Sequence, residues 1–157
     1  MASIKVALKA DSGKYMARCN QCIPNGAYPD SVFVHVTDLA GSPWAHWEIE
    51  HLDNGKYALK ADSGKYKYMA RCNQCIPNGA YPDSVFVHVT DLAGSPWAHW
   101  DIERLDNGKY TLKADSGKYA ARCNSCVPGG AYPDNVMVHA TNPNGESWAQ
   151  WEIIFLP

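Results

Sequence analysis

Apolar and polar residues alternate along most of this chain, a pattern typical of short β-strands. In the first third of the chain, the alternation predicts strands at 6–10 and 15–19. A third strand is predicted at 32–36, which is rich in β-branched valine, and a fourth at 45–50. No segment keeps the apolar spacing of a helix, so the sequence predicts an all-β protein.

Turn-forming residues separate the predicted strands. The turn Asp11-Ser12-Gly13 follows the first strand, since glycine tolerates a positive φ and aspartate or serine bonds to the nearby backbone. Residues 20–30 contain two prolines and a glycine, so they form a long loop and not a central strand. Residues 38–43 form a further turn before the fourth strand.

The same unit occurs three times. The segment 16–49 recurs at 69–102 with one substitution, and a looser copy spans 120–153. The second copy carries two extra residues, Lys67 and Tyr68, which indicates a natural tandem duplication. We therefore predict a single domain in which three pseudo-symmetric repeats share one core. The domain is residues 1–157, with repeats at about 5–55, 56–108 and 109–157.

Four strands in each of three copies give twelve strands. Closing a sheet into a barrel removes its exposed edges, and three hairpins can cover one end of such a barrel. This arrangement is the β-trefoil, which we predict for this chain. A sandwich or a propeller-like ring is the alternative, but a propeller needs at least about four blades and the chain has three copies.

Three segments resemble known trefoils. The stretches 55–61 (Gly-Lys-Tyr-Ala-Leu-Lys-Ala) and 64–66 (Gly-Lys-Tyr) are similar to the strand–turn–strand signature of the fascin and hisactophilin trefoils. Residues 47–50 (Trp-Glu-Ile-Glu) are similar to the closing strand of the same proteins. The resemblance implies a β-trefoil fold and a scaffold that binds actin. The Gln-x-Trp signature of ricin-type lectin trefoils is replaced here by Ala-His-Trp at 45–47.

Charge and composition argue against several classes of partner. The chain carries 14 Lys and Arg against 16 Asp and Glu, and this near balance does not provide the basic surface that nucleic acids or anionic membranes require. No apolar run approaches the length of a membrane span, so membrane insertion is not expected. The first residues include no apolar signal segment, so we expect a cytoplasmic protein or one that is secreted after processing.

A Cys-Asn-x-Cys motif occurs in every copy. Two thiolates at this spacing supply half of a tetrahedral zinc site, but each copy offers a single pair. A redox motif is expected beside a βαβ pattern, which the sequence does not show. The sequence therefore favours a local disulfide or a pair of partly buried thiols, without distinguishing them. No metal or cofactor is predicted. The pairs are Cys19/Cys22, Cys72/Cys75 and Cys123/Cys126.

The predicted strands also indicate which side chains face outward. In the third strand the valines face inward, which places Phe33 and His35 on the outer face. In the fourth strand Trp47 faces inward, which gives Trp44 and His46 the outward parity. An outward aromatic cluster with a polar rim marks a binding surface. The alternative is that these rings pack beneath the long loop as a small satellite core.

The long loop of each copy contains the sequence Ala-Tyr-Pro-Asp. In the first copy, the loop places Tyr28 two residues before Asp30. A carboxylate accepts hydrogen bonds from paired sugar hydroxyls, and an aromatic ring packs against the C–H face of a sugar. The structural alternative is that the proline and glycine fix a turn, the tyrosine covers the core edge and the aspartate bonds to the backbone.

These observations predict a multivalent carbohydrate-binding protein, a lectin, with two or three similar glycan sites. A fascin-like scaffold that binds actin or other proteins is the alternative. No nucleophile elbow, phosphate-binding loop or helical metal motif is present, so no enzymatic activity is predicted. We expect a monomer or small homo-oligomer that binds glycans or glycoconjugates. The predicted site residues are Tyr28, Asp30, His35, Trp44 and His46; Tyr81, Asp83, His88, Trp97 and His99; and Tyr132, Asp134, His139 and Trp148.

The third copy departs from the first two at the predicted site. Met137 replaces the phenylalanine of the third strand, and Gln150 replaces the histidine of the fourth. The turn before the fourth strand also changes, from Asp-Leu-Ala-Gly-Ser-Pro to Asn-Pro-Asn-Gly-Glu-Ser. The third site is therefore expected to differ in affinity or to be lost.

Overall fold

The computed structural model describes residues 3–62 and 66–157, and this part of the chain forms twelve β-strands. Three single turns of 3-10 helix, at Pro43–Ala45, Pro96–Ala98 and Ser147–Ala149, precede the last strand of each repeat. No helix in the described part is long and apolar enough to span a membrane. The strands are β1 (Ser3–Lys9), β2 (Tyr15–Asn20), β3 (Asp30–Val36), β4 (Trp47–His51), β5 (Tyr57–Lys60), β6 (Tyr68–Asn73), β7 (Asp83–Val89), β8 (Asp101–Arg104), β9 (Tyr110–Lys113), β10 (Tyr119–Asn124), β11 (Asp134–Ala140) and β12 (Glu152–Phe155).

The all-β prediction, with four strands in each copy, is confirmed. The boundaries differ by one to three residues, and the first strand, predicted at 6–10, is Ser3–Lys9. The third strand begins at Asp30, two residues earlier than predicted. The fourth strand begins at Trp47, because Pro43 starts a 3-10 turn that places Trp44 and Ala45 outside the strand.

Six strands form a closed ring around the core. Strand β1 pairs with β4 and β12, β4 pairs with β5, and β8 pairs with β9. Two isolated bridges, Tyr57 with Trp100 and Tyr110 with Trp151, complete the circuit by joining β5 and β9 to the residues that begin the next closing strands. Each of these six strands therefore has a neighbouring strand on both sides.

The other six strands form three hairpins, β2–β3, β6–β7 and β10–β11, which pair in the same register. The second strands of the hairpins also pair with one another in a cycle, β3 with β7, β7 with β11 and β11 with β3. The three repeats are thus related by an approximate threefold rotation. The cyclic pairs are Ser31 with Phe86, Ser84 with Met137, and Phe33 with Asn135.

A tryptophan from each repeat anchors the central core. Trp47, Trp100 and Trp151 are fully buried, and each indole N–H donates a 3.0 Å hydrogen bond to a backbone carbonyl of the preceding hairpin. Burying the ring while satisfying its N–H lets a tryptophan stabilise a core without an unpaired donor. Valines of the hairpin strands, such as Val32 and Val34, pack on the same core, as predicted.

The prediction that Phe33 faces outward into solvent is wrong. Phe33, Phe86 and Met137 are fully buried in a second cluster, together with cysteines of the Cys-Asn-x-Cys motifs. The strand parity is correct, but the outer face of the hairpins is covered by the long loops. The satellite core was therefore the right alternative for this position. It also explains the exchange of phenylalanine for methionine in the third copy, because both residues fill the same apolar space.

The strand pairing places the extra length of the second copy before Tyr68, and not at Lys67 and Tyr68 as the sequence predicted. Tyr68 pairs with Lys60 as Tyr15 pairs with Lys9, so Tyr68 occupies the regular strand position. The additional length is therefore taken up between β5 and β6, ahead of the strand. Tyr66 belongs to this longer turn.

Candidate functional site

The three long loops interlock around the threefold axis. The N–H of Ala27 donates a 3.0 Å hydrogen bond to the carbonyl of Cys75 in the second repeat. The equivalent bonds run from Ala80 to Cys126 and from Ala131 to Cys22, also at 3.0 Å. Each loop therefore leaves its own repeat and lies against the next one.

This crossing brings side chains of two repeats together. Tyr132 of the third repeat stacks on His35 of the first, with ring centroids 4.3 Å apart. Tyr81 stacks on His139 at 4.3 Å, and Tyr28 stacks on His88 at 4.6 Å. Aromatic rings at these distances attract one another and hold a defined geometry.

Tyr28 does not lie with His35 and Trp44 of its own copy, which corrects the grouping that the sequence predicts. The loop crossing places Tyr28 beside His88 instead, and His35 receives Tyr132. The predicted tyrosines, histidines and tryptophans do lie together, but each set is shared by neighbouring repeats.

Two clefts with matching walls are open to solvent. The first of these, the first cleft, has a volume of about 540 Å³. It is lined by Arg18, Asn20, His35, Trp44 and Tyr132. Volumes of this size suit small ligands. Trp44 is 38% exposed and Tyr132 is 42% exposed, so both rings are accessible from the cleft.

The third repeat carries the equivalent cleft. This third cleft has a volume of about 420 Å³ and is lined by Arg122, Asn124, His139, Trp148 and Tyr81. Exposure of Trp148 and Tyr81, at 37% and 43%, matches that of the corresponding rings in the first cleft. The turn that differs in sequence places a carboxylate, Glu146, on the wall of the third cleft, whereas the first cleft has Asp38 on its wall.

A local disulfide stands beside each tryptophan and histidine pair. Cys19 is bonded to Cys22, and both line the first cleft. Cys123 and Cys126 form the same wall in the third cleft. In the described residues every cysteine is paired, so the disulfide alternative describes this structure.

An arginine and an asparagine from the hairpin strands also line each of the two clefts, and the predicted site did not include them. Arg18 donates to Asp30 at 3.2 Å and to Asp62 at 3.1 Å, and Asn20 donates to Asp30 at 2.9 Å. These ion pairs raise the pKa of Arg18 against the opposing effect of burial. The signal was present in the sequence, since Arg-Cys-Asn recurs at the end of the second strand in each copy.

The contacts of Asp30 contradict the role predicted for it. Its side chain is almost fully buried beneath Arg18 and Asn20, so it has no path to a ligand hydroxyl. Asp83 and Asp134 are held in the same way, by the arginine and asparagine of their own repeats, and are only about one-seventh exposed. These carboxylates position the arginines and do not form the cleft surface.

His46 and His99 also have structural roles. The Nε2 atom of His46 lies 2.7 Å from the carbonyl oxygen of Leu39, and that of His99 lies 2.6 Å from Leu92 O. Gln150 makes the same contact in the third repeat, donating from Nε2 to a turn carbonyl at 2.7 Å. The exchange of histidine for glutamine therefore preserves a turn-closing hydrogen bond, and it gives no reason for the third cleft to differ.

The three stacked histidines are half-buried and electrically neutral near pH 7. Burial lowers the pKa of His35, His88 and His139 below the usual value. In His88 the Nδ1 atom lies 3.3 Å from the carbonyl oxygen of Phe86, and His139 makes the equivalent contact at 3.4 Å. A carbonyl only accepts, so in these two rings Nδ1 carries the proton and Nε2 is left as an acceptor.

Comparison with solved structures finds similar chains of low sequence identity. The designed threefold-symmetric protein ThreeFoil matches with a TM-score of 0.72 and 24% identity, over 97% of this chain and 99% of that chain. A Culex salivary protein of the Cysteine and Tryptophan-Rich family has a TM-score of 0.68 and 16% identity, over 98% and 94% of the chains. An exo-β-1,3-galactanase from Clostridium thermocellum has a TM-score of 0.68 and 15% identity, over 98% of this chain but 30% of the enzyme.

No family model matches the chain, and no curated protein matches it. At identities below a quarter, the three structural matches establish the shared fold alone. They agree with an all-β chain built with approximate threefold symmetry.

Proposed function

We propose that this protein is a carbohydrate-binding β-trefoil, a lectin, whose sugar sites are the first and third clefts. The trefoil assignment is supported by a closed ring of six strands with three hairpins that pair around one axis. The likeness to a designed threefold-symmetric protein over nearly the whole of both chains supports it further.

The observation that carries the binding proposal is the repeated wall of exposed rings beside polar donors. In the first cleft, Trp44 and Tyr132 present accessible ring faces, and these are suited to pack against the C–H face of a sugar. Arg18 and Asn20 lie beside them with N–H groups suited to sugar hydroxyls. The third cleft repeats this combination with other residues, so the arrangement is not a single accidental pocket.

The hydrogen bonds made by the loop aspartates favour a binding role over a catalytic one. The loop carboxylates are engaged by arginine and asparagine, as Asp30 is by Arg18 and Asn20. The loop aspartates are therefore not free to act as an acid and base pair on a glycosidic bond, and the lining of each cleft holds one further carboxylate, Asp38 in the first and Glu146 in the third, where a pair is required. We propose a protein that recognises sugars and leaves them unchanged.

Repetition of the cleft favours multivalent recognition. Two weak sites fixed on one rigid body gain avidity when a ligand can reach both of them. One structural neighbour is an exo-β-1,3-galactanase in which the part similar to this chain is 30% of the length. This match makes β-1,3-linked galactose a reasonable first probe among the sugars to be tested.

A glycan array tests the proposal directly. The wild-type chain is expected to bind a restricted set of glycans, and the double variant Trp44→Ala/Trp148→Ala is expected to lose that binding while keeping its β-sheet circular dichroism. Phe155→Ala is the matched control, because Phe155 is 67% exposed but lies outside both clefts. Failure of the wild-type protein to bind any glycan, or equal binding by the double variant, would contradict the lectin proposal.

A further inference from the structure

We propose that Tyr66 closes the equivalent cleft of the second repeat, so that the chain has two open sugar sites and one covered site. The second cleft is the position defined by Tyr28, His88 and Trp97, which correspond to the tyrosine, histidine and tryptophan of the first and third clefts. The inference rests on the proposed function, since it concerns which of three related sites is available to a sugar.

The contact that supports this inference is between two tyrosines. The ring of Tyr66 meets the ring of Tyr28 edge-on, with centroids 5.6 Å apart and planes at 89°. Tyr28 is already stacked on His88 at 4.6 Å and lies near Phe86 at 6.2 Å. Tyr132 makes the same contacts with His35, at 4.3 Å, and Phe33, at 6.1 Å, and is 42% exposed, so the Tyr66 ring accounts for the half-burial of Tyr28.

Tyr66 lies in a turn that is longer in the second repeat than in the other two, which explains why, in the described part of the chain, only the second cleft has this covering ring. The turn between the first two strands of a repeat is two residues longer in the second copy, as the pairing of Lys60 with Tyr68 shows. The corresponding pairings, Lys9 with Tyr15 and Lys113 with Tyr119, enclose shorter turns. The insertion therefore supplies a ring that the first and third clefts do not receive from their own neighbouring turns.

A sugar that uses the tyrosine of the second cleft must first displace Tyr66. An aromatic pair of this geometry contributes stability beyond its buried area, so displacement weakens a competing ligand by up to about tenfold. Trp97 remains 37% exposed, so the second cleft retains one accessible ring. The expected result is a chain with two similar sites and a weaker third one.

Chemical modification tests whether Tyr66 covers Tyr28, and the experiment needs no sugar ligand. Tetranitromethane nitrates accessible tyrosines, and peptide mapping reports each residue separately. We expect Tyr81 and Tyr132 to react several-fold faster than Tyr28 in the wild-type chain, and Tyr66→Ala to bring Tyr28 to the rate of the other two. Lys67→Ala, at an exposed neighbour in the same turn, is the matched control and is expected to leave Tyr28 protected. Equal rates for the three tyrosines in the wild-type chain would overturn the inference.

Counting the sugars bound to each chain tests whether the second cleft is weaker than the other two. Native mass spectrometry is carried out with β-1,3-galactobiose and with methyl glycosides of galactose, glucose, mannose and N-acetylglucosamine. A bound probe is expected to reach two copies per wild-type chain and three per Tyr66→Ala chain at the same concentration. Three equally filled sites in the wild-type chain would overturn the inference even if Tyr28 is protected from nitration. If no array glycan or probe binds any form, the lectin proposal and the sugar count fall together, and the nitration result still decides whether Tyr66 covers Tyr28.

Discussion

At the scale of single residues, three arginines connect the repeats. Each one bonds an aspartate at the end of its own long loop and a second aspartate in the first turn of the next repeat. Arg122 closes the circle, because its second partner is Asp11 near the start of the chain, at 2.7 Å. Two of these guanidinium groups, those of Arg18 and Arg122, also line the open clefts.

Removal of Arg18 is predicted to destabilise the protein more than removal of Arg71. The side chain of Asp30, the partner of Arg18, is 1% exposed, whereas that of Asp83, the partner of Arg71, is 15% exposed. Leaving a fully buried carboxylate unpaired costs about 3–5 kcal/mol. Urea unfolding should therefore show a loss of about 3 kcal/mol or more for Arg18→Ala and a clearly smaller loss for Arg71→Ala. Equal losses would contradict the importance given to the burial of Asp30.

The buried histidines predict a fall in stability on the acid side of neutrality. Burial lowers the pKa of His35, His88 and His139 in the folded chain, from a usual value of 6.5. Above about pH 6.5 the rings are neutral in both the folded and unfolded states, and stability is full. Below that pH the unfolded state takes up protons first, so the free energy of unfolding falls until the folded-state pKa values are passed.

Urea titrations between pH 8 and pH 5 measure this effect. The wild-type chain should lose stability progressively below pH 6.5, and a variant combining His35→Gln, His88→Gln and His139→Gln should show a much flatter profile. At lower pH, a second loss is expected in both proteins because hydrogen bonds from arginine lower the pKa values of Asp11 and Asp115. An unchanged slope in the histidine variant would contradict the assignment of the first loss.

The sequence identified most of the rings in the clefts but not their grouping. Strand parity pointed to His35 and Trp44, and the Ala-Tyr-Pro-Asp sequence of the long loop pointed to Tyr28. The partner of Tyr28 depends on a hydrogen bond between loops of different repeats, and alternation within one repeat contains no information about that crossing. Asp30 was misassigned for a related reason, because its burial depends on an arginine on the paired strand.

At the scale of elements, the disulfides hold the start of the long loops beside the clefts. Each ring spans four residues, as in Cys123 to Cys126, and each bond connects the end of a hairpin strand to its loop. A small ring restricts the unfolded chain only modestly, so the bond contributes about 2 kcal/mol in the chain-entropy account. Its second contribution is to the shape of the cleft wall.

Replacing one disulfide separates these two contributions. Cys123→Ser/Cys126→Ser is predicted to lower the free energy of unfolding by about 2 kcal/mol and to weaken binding at the third cleft, whose wall these residues form. Cys72→Ser/Cys75→Ser is the matched control, since it removes an equivalent bond from the repeat that carries His88 and Trp97 of the second cleft, where Tyr66 covers Tyr28. It is expected to cost similar stability with little loss of binding. Equal losses of binding would contradict the distinction between the clefts.

Element prediction succeeded where one side of a strand faces the central core. Val32, Val34 and the inward Trp47 lie in that core as expected, whereas Val36 packs in a separate small cluster with Ala17 and Ala45. The prediction failed for Phe33, because strand parity identifies a face and not what covers the face. The covering is made by three loops that belong to different repeats, with Ile23 and Ile76 packing in the same apolar cluster.

At the scale of the whole molecule, the three repeats share a single core. The central cluster takes tryptophans 47, 100 and 151 together with apolar side chains of every repeat. The closed ring of strands also depends on pairing between the first and last strands, β1 and β12. A single repeat would expose most of this apolar surface and could not close the ring.

An isolated repeat is therefore predicted not to fold. A peptide of residues 56–108 should give the circular dichroism spectrum of an unfolded chain and no cooperative thermal transition. The full chain should unfold in one transition that is the same by tryptophan fluorescence and circular dichroism. A cooperative melt of the single repeat would contradict the shared core.

Nuclear magnetic resonance of the six tryptophan indoles tests the central claim most directly. Trp44, Trp97 and Trp148 are exposed, and the other three are buried at the core, where they serve as internal controls. On titration with the best glycan from the array, we predict large and saturable shifts for the indole N–H signals of Trp44 and Trp148. Smaller shifts are expected for Trp97, and almost none for the buried indoles. Saturable glycan binding without shifts at Trp44 and Trp148 would contradict the proposed sites, and the absence of any binding would contradict the proposed function.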